Sequence, residues 1–282
     1  MTGILVGAAM VSTRAVSDSV SPATLAFLRY LIGIAVLMAP ACMLKQPRFA
    51  PKDTGAIAIL GIFQFAVLII LLNYALANLP ATTCALVFST MPLFTMCLAI
   101  VLRREAYSST KLAGIALAIA GVAYLLSEPG AHAAAASETR SLSGYAALAG
   151  ATLTGAATSI LYGPYLRRYP SLPTCVRAMG AAVVFLVGFC WATAQPLLPS
   201  LTIAQWANVG FIGLSSGVGY FCWLWALAKL EASRVVAFQA LGPVTAAIIE
   251  SVLARHMPSL ALVASLALVA SGLLLAMRRK RS

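Results

Sequence analysis

The chain carries one pattern twice. Displaced by about half its length, Gly7-Ala8-Ala9 falls on Gly155-Ala156-Ala157, Pro22 on Pro170 and Arg29 on Arg177. After a three-residue slip, Leu79 falls on Leu230, Ala81 on Ala232, Thr82 on Ser233, Pro92 on Pro243 and Gly121 on Gly272. Each copy holds five apolar spans. An odd number of crossings forces the second copy into a bilayer upside down. The expected fold is therefore an all-α integral membrane protein of ten transmembrane helices, arranged as two inverted five-helix repeats around a central cavity. That architecture belongs to alternating-access transporters, whose substrate site lies where the repeats meet.

The solvent implied is lipid. The chain is 61% hydrophobic and 9% charged, against about a quarter charged in ordinary soluble proteins. A spanning helix needs roughly 20 apolar residues. The expected spans are 2–18, 23–43, 54–77, 80–102, 109–126, 143–165, 172–193, 203–228, 231–253 and 257–277, separated by Pro- and Gly-containing breakers. The repeats occupy 1–126 and 143–278. They are joined by an external Ala/Ser-rich linker, 127–142, and followed by a basic cytoplasmic tail, 279–282.

The net charge of +12 sets orientation rather than marking a nucleic-acid partner, because the basic residues sit singly or in pairs between spans. With both termini cytoplasmic, the inner loops carry Lys45, Arg48, Lys52, Arg103, Arg104, Lys111, Arg167, Arg168, Lys229, Arg234 and the Arg278–Arg281 tail. The outer connections keep only Arg14, Arg140 and Arg255. This is the positive-inside distribution. The six cysteines fall in or beside apolar spans with no CxxC pair, and His132 and His256 stand alone. No metal or cofactor is expected, and the cysteines read as small packing residues.

Pro92 and Pro243 sit near the middle of their spans, as repeat mates. A mid-helix proline leaves the carbonyl four residues back without its N–H. Those carbonyls belong to Phe88 and Gln239. They are either acceptors facing a wet cavity or kinks satisfied by a neighbouring hydroxyl. Tyr220 and Trp223 share a face of the eighth span, and their mates Ile69 and Leu72 adjoin Asn73. Gln64 lies nine residues before Asn73, about 180° round an α-helix, so only one of the two can face the interior. Symmetry with Tyr220 and Trp223 selects Asn73. Arg14, mate of Tyr162, can hold a carboxylate at the outer mouth or snorkel to the headgroups. Arg29 and Arg177 read as structural anchors, and Glu250 as the partner of nearby Arg255. The stripes Gly114, Ala118, Gly121 and Gly210, Gly213, Gly217 permit close helix approach.

No Walker loop, GxGxxG, HExxH or paired-Asp motif is present, and the chain is not expected to be an enzyme. A lipid-modifying membrane enzyme would need clustered Asp, Glu or His at one interface.

The segment SPATLAFLRYLIG opens the second span. NYALANLPATTCALVFSTMPLFTMCLAIVLRREAYSSTKLAGIALAIAGVAYLL closes the first copy, and WALAKLEASRVVAFQALGPVTAAIIESVLARHMPSLALVASLALVASGLLLA closes the second on the same template. Over essentially its whole length the chain resembles the drug/metabolite transporter superfamily, EamA-type branch, and is most similar to YddG-type bacterial amino-acid exporters. The second copy has Arg255-His256 where the first has Arg104-Glu105, the family's more usual acidic position. The resemblance implies a cavity lined mainly by the first, third, fourth, sixth, eighth and ninth helices. It implies export of amino acids, aromatic ones included, or alternatively of cationic drugs, across the bacterial inner membrane. The expected substrate-binding residues are Asn73, Phe88, Tyr220, Trp223, Gln239, Arg14 and Tyr162, with Pro92 and Pro243 as kinks. The expected partners are small molecules and membrane lipids, not nucleic acid, and the expected protein is a monomer.

Overall fold

A computed structural model describes residues 2–16, 19–43, 47–79, 84, 87–127, 142–253 and 260–277. Helices fill these segments, with no strand among the described residues. The first repeat contains α1 (Thr2–Arg14), α2 (Pro22–Met43), α3 (Pro51–Gly61), a π-helical turn (Ile62–Val67), α4 (Leu68–Asn78), α5 (Met91–Val101) and α6 (Ser109–Leu126). The second contains α7 (Leu142–Leu161), α8 (Gly163–Arg168), α9 (Ser171–Ala192), α10 (Ile203–Leu227), α11 (Ala232–Ala237), a 3₁₀ turn (Phe238–Ala240), α12 (Leu241–Leu253) and α13 (Leu260–Met277). Among the described residues, Pro22–Met43, Pro51–Ala75, Ser171–Ala192 and Ile203–Leu227 are long and apolar enough to cross a bilayer. Val87–Val101, Ser109–Tyr124 and Leu262–Met277 are shorter apolar stretches. A helix closes its own backbone hydrogen bonds, which lipid cannot do for it. The chain is a multi-pass membrane protein.

Local chemistry sets the helix starts. Before α2, the Thr24 N–H donates to Ser21 Oγ at 3.2 Å, an N-cap that satisfies one free amide. Before α10, Thr202 and Gln205 form a reciprocal capping box. Four expected spans are not continuous α-helices, the fourth span turning at Thr90 before α5. The third carries the π turn, the sixth breaks at Tyr162 before Pro164, and the ninth is interrupted by 3₁₀ geometry. Pro92 and Pro243 do not lie in unbroken helix, as the sequence suggested. Both stand in the first turn of a restarting segment, α5 and α12. There a missing N–H breaks no helical bond, which removes most of proline's penalty.

Helix packing comes in mated pairs. α1 packs on α10 as α7 packs on α4; α1 packs on α12 as α7 packs on α5; α2 packs on α10 as α9 packs on α3. The pairs that are their own mates, α2 with α9 and α6 with α13, are also in contact, and α5 packs on α11, the opening segment of its mate span. Glycines set the closest approaches. A Cβ on Gly217 would meet the Gly33 carbonyl oxygen at 2.8 Å, and one on Gly272 would meet the Gly114 oxygen at 2.6 Å. A Cβ on Gly210, in contrast, meets nothing within 4 Å. Only part of that expected stripe is therefore a packing surface.

Connections gather at two ends. At one, Gln205 Nε2 donates to Ser19 Oγ (2.7 Å), Thr24 Oγ1 to the Pro196 oxygen (2.7 Å) and Tyr74 Oη to Ser143 Oγ (3.2 Å). At the other, Tyr169 Oη donates to Asp53 Oδ2 (2.7 Å), and the loop after α5 meets the start of α11 through Glu105 and Ser233. The described basic residues of the loops expected inside belong to this second end.

Candidate functional site

A cavity of about 170 Å³ lies where the helices of the two halves converge. α1 contributes Leu5, Val6 and Ala9; α2 contributes Arg29; the third span contributes Gln64, Leu68, Ile69 and Leu72. Phe88 and Ser89 come from just before α5, while Ser216, Tyr220 and Trp223 come from α10. Gln239 and Pro243 come from the interrupted ninth span. The interruption places a polar amide at the cavity wall beside a restarting helix. A local 3₁₀ adjustment at membrane depth is tolerated where neighbouring protein or a wet cavity satisfies the freed backbone groups.

Phe88, Tyr220, Trp223 and Gln239, four of the residues singled out from sequence, therefore line one space. Two others, Asn73 and Tyr162, do not. Asn73 is off the lining, and its Nδ2 reaches the Pro22 oxygen at 3.4 Å. Gln64 faces the cavity in its place, reversing the sequence expectation. The reason is positional: Gln64, Leu68 and Leu72 recur at i, i+4 and i+8 on one stripe, and Asn73 is one residue, about 100°, beyond it. The π turn around Gln64 also alters the angular count on which the expected opposition of faces rested. Tyr162 is fully buried but stands behind the wall, edge-on to Trp223 with ring centroids 6.1 Å apart. The side chains of Arg14 and Glu250 lie outside the described residues, and so does Arg255.

The sixth span, expected among the lining helices, is set back. At Gly155 the side chains of Met91 and Leu68 press against α7, filling the space a Cβ would take and separating this helix from the cavity. α7 instead supports the site from behind, where Thr158 Oγ1 donates to Gln64 Oε1 and fixes the amide. Arg29, read from sequence as a structural anchor, takes a place in the lining. Its mate Arg177 points elsewhere, with Cζ 4.1 Å from the centroid of the Phe49 ring.

Aromatic rings form a continuous wall. Tyr30 meets Phe65 at 5.2 Å, Phe65 meets Tyr220 edge-on at 4.7 Å, and Tyr220 meets Trp223 edge-on at 6.2 Å. Such pairs contribute about 0.5–1.5 kcal/mol each beyond their buried area, so the wall is preorganised. Its polar atoms are not all satisfied. Tyr162 Oη and Trp223 Nε1 are buried without a hydrogen-bond partner, and Arg29 Nε makes none of good geometry beside the Tyr30 hydroxyl. Buried polar groups are nearly always paired, and two of these, Arg29 and Trp223, belong to residues that line the cavity, which points to a ligand or water there. Among the described lining residues Arg29 is the charged one, and no Asp or Glu accompanies it.

Sequence reading passed over Gln64, Arg29, Ser89 and Ser216. The available signal for Gln64 was a lone amide in an apolar span at helical spacing from Leu68 and Leu72. For Arg29 it was a charge one turn inside a span.

A family model described as the EamA-like transporter family matches residues 1–127 and 142–278. A Streptantibioticus cattleyicolor protein named a probable terminal-alkyne amino-acid exporter is 30% identical over 99% of this chain and 92% of its own length. An uncharacterized transporter of Archaeoglobus fulgidus is 26% identical over 92% of this chain and 90% of its own. Another from Bacillus subtilis, YdfC, is 23% identical over 88% and 79%. A solved crystal structure shares the fold with a TM-score of 0.79, at 22% identity, over 98% of this chain and 94% of that one.

Proposed function

This chain belongs to the EamA-like transporter family, and we propose that it exports neutral amino acids, aromatic ones included, across a bacterial cytoplasmic membrane by alternating access. The chain is read as ten crossings in two inverted repeats, 1–126 and 143–278, joined by an external linker, with both termini cytoplasmic. The mated helix packing supports the inversion. The clustering of basic loops at one end supports the orientation.

The observation that carries the reading is the cavity itself. It joins an aromatic wall to two amides, serines and one guanidinium. Tyr220 and Trp223 suit apolar side chains. Gln64, Ser89, Ser216 and Gln239 suit the polar ends of a zwitterion. The name of the Streptantibioticus relative agrees with this class. A cationic-drug exporter is less well supported, since a site for cations would need an acidic side chain and the described lining carries a cationic one.

The restarts at Pro92 and Pro243 place departures from α-helical geometry at corresponding points of the two halves. They are the natural hinges for rocking one half against the other. The test is uptake of radiolabelled amino acids into proteoliposomes, with and without a pH gradient. Saturable uptake with mutual competition among neutral amino acids supports the reading, and the pH effect reports coupling. Folded protein that takes up none of them refutes it.

A further inference from the structure

We infer that Arg29 is the carboxylate anchor of the central cavity, so that a carboxylate, and not an ammonium group, is the obligatory recognition element of the substrate. This rests on the transport reading above and narrows it.

Arg29 lies in the second turn of α2 and lines the cavity. One of its guanidinium nitrogens, Nη2, donates to Thr13 Oγ1 of α1 at 3.1 Å. Its Nε is buried without a hydrogen bond of good geometry, and the neutral Tyr30 hydroxyl stands beside the guanidinium. No carboxylate among the described residues forms an ion pair with it. An unpaired guanidinium within a membrane is costly, and such residues mark sites that pair with something. The donor inventory narrows what that is. Arg Nε and the unpartnered indole Nε1 of Trp223 can only donate. A ligand group that satisfies both must accept, and an ionised carboxylate accepts along several directions, bidentately from arginine. An ammonium group brings only donors and can satisfy neither of these nitrogens. The repeat adds an independent indication. Arg177, the mate of Arg29, stacks on Phe49 and leaves the cavity, so the two-fold is broken and the cavity carries one positive pole. A zwitterion entering it is oriented, carboxylate toward α2.

The test dissects the ligand. Binding of phenylalanine, 3-phenylpropionate (no amine) and phenethylamine (no carboxylate) is measured by titration calorimetry on purified wild type, Arg29→Gln, Arg29→Lys and Asp18→Asn. The last is included because Asp18, the acidic residue nearest in sequence, lies outside the described residues. Wild type is expected to bind phenylalanine and 3-phenylpropionate and to reject phenethylamine. Arg29→Gln is expected to weaken the two carboxylates about 10- to 100-fold, the range for losing charge-assisted hydrogen bonds, without weakening phenethylamine. Arg29→Lys restores part of the loss, and Asp18→Asn keeps the wild-type ranking.

Wild type that binds phenethylamine as well as phenylalanine overturns the inference and leaves the amino-acid reading standing, even if no variant folds. An equal loss for all three ligands in Arg29→Gln overturns it as well, as does Asp18→Asn reproducing Arg29→Gln. Wild type that binds neither these ligands nor any neutral amino acid refutes the amino-acid reading itself.

Discussion

Removing the Glu105 carboxylate is expected to loosen the junction between the two halves. Glu105 follows α5, and its side chain is 4% exposed. It accepts from the Ser233 N–H at 3.1 Å and Oγ at 2.5 Å, and so caps α11 from another segment. It also pairs with Lys111 Nζ at 2.9 Å, and Lys111 is 3% exposed. Two losses combine in Glu105→Ala. An absent helix cap costs about 0.5–2 kcal/mol. Breaking a buried ion pair costs about 3–5 kcal/mol when the surviving charge has nowhere to go. Here Lys111 keeps Glu231 at 2.9 Å, a carboxylate 42% exposed, so the second cost falls below that range. The expected total is about 3 kcal/mol. Glu105→Gln retains an acceptor for the Ser233 amide and loses only the charge, for about 1–2 kcal/mol. Adding Lys111→Met to Glu105→Ala removes the buried ammonium that has lost its buried partner, while Glu231 keeps Arg234 at 2.7 Å, and should recover part of the loss. The assay is the temperature at which half of the detergent-solubilised protein stays monodisperse on size exclusion. The expected order is wild type, Glu105→Gln, the double variant, then Glu105→Ala. Glu105→Ala matching wild type, or a double variant less stable than Glu105→Ala, would refute the reasoning.

Three further outcomes are expected. Gly217→Ala forces a Cβ to 2.8 Å from the Gly33 oxygen, and should destabilise by about 1–3 kcal/mol through overpacking. Gly188→Ala, with nothing within 4 Å, should be neutral or stabilising in the same size-exclusion assay. Gln64→Leu removes the amide held by Thr158 and should lower amino-acid uptake at least tenfold, whereas Asn73→Leu, off the cavity lining, should change uptake less than twofold. Equal losses for the two would show that the Gln64 stripe is not the working face. Trp223→Phe keeps a ring for the Tyr220 and Tyr162 edge contacts and removes the unpartnered indole N–H, so it should raise KM more than it lowers the maximal rate. The reverse split would place Trp223 in the wall only.

Much of the fold was legible because lipid imposes few solutions. Apolar length and breakers marked the spans, and proline fixed the starts of α2, α3 and α5 through its own geometry. The site was legible only in part, and the limits have physical causes. Tyr220 and Trp223 reach the cavity because α10 is a continuous α-helix over Ile203–Leu227, so helical spacing predicts its face. The third span contains a π turn, and a count of 100° per residue across it mislocated Asn73 relative to Gln64. Internal symmetry was informative for backbone and misleading for function. It paired Ile69 and Leu72 with Tyr220 and Trp223, all of which line the cavity. It also paired Arg29 with Arg177 and hid the divergence of their side chains. Tyr162 was placed in the site as the repeat mate of Arg14, yet Met91 and Leu68 fill the gap at Gly155 and set α7 back. Side-chain filling of that kind has no periodic signature.

The central claim is that one cavity between the two halves opens to each side of the membrane in turn. The direct measurement uses Ser216→Cys, a near-isosteric change in the lining, with the six native cysteines replaced. The protein is reconstituted in one orientation and exposed to a membrane-impermeant maleimide from either face. Labelling from both faces, slowed from both by a transported amino acid, is the predicted result. Labelling from one face only, or at a rate the amino acid does not change, would contradict the account.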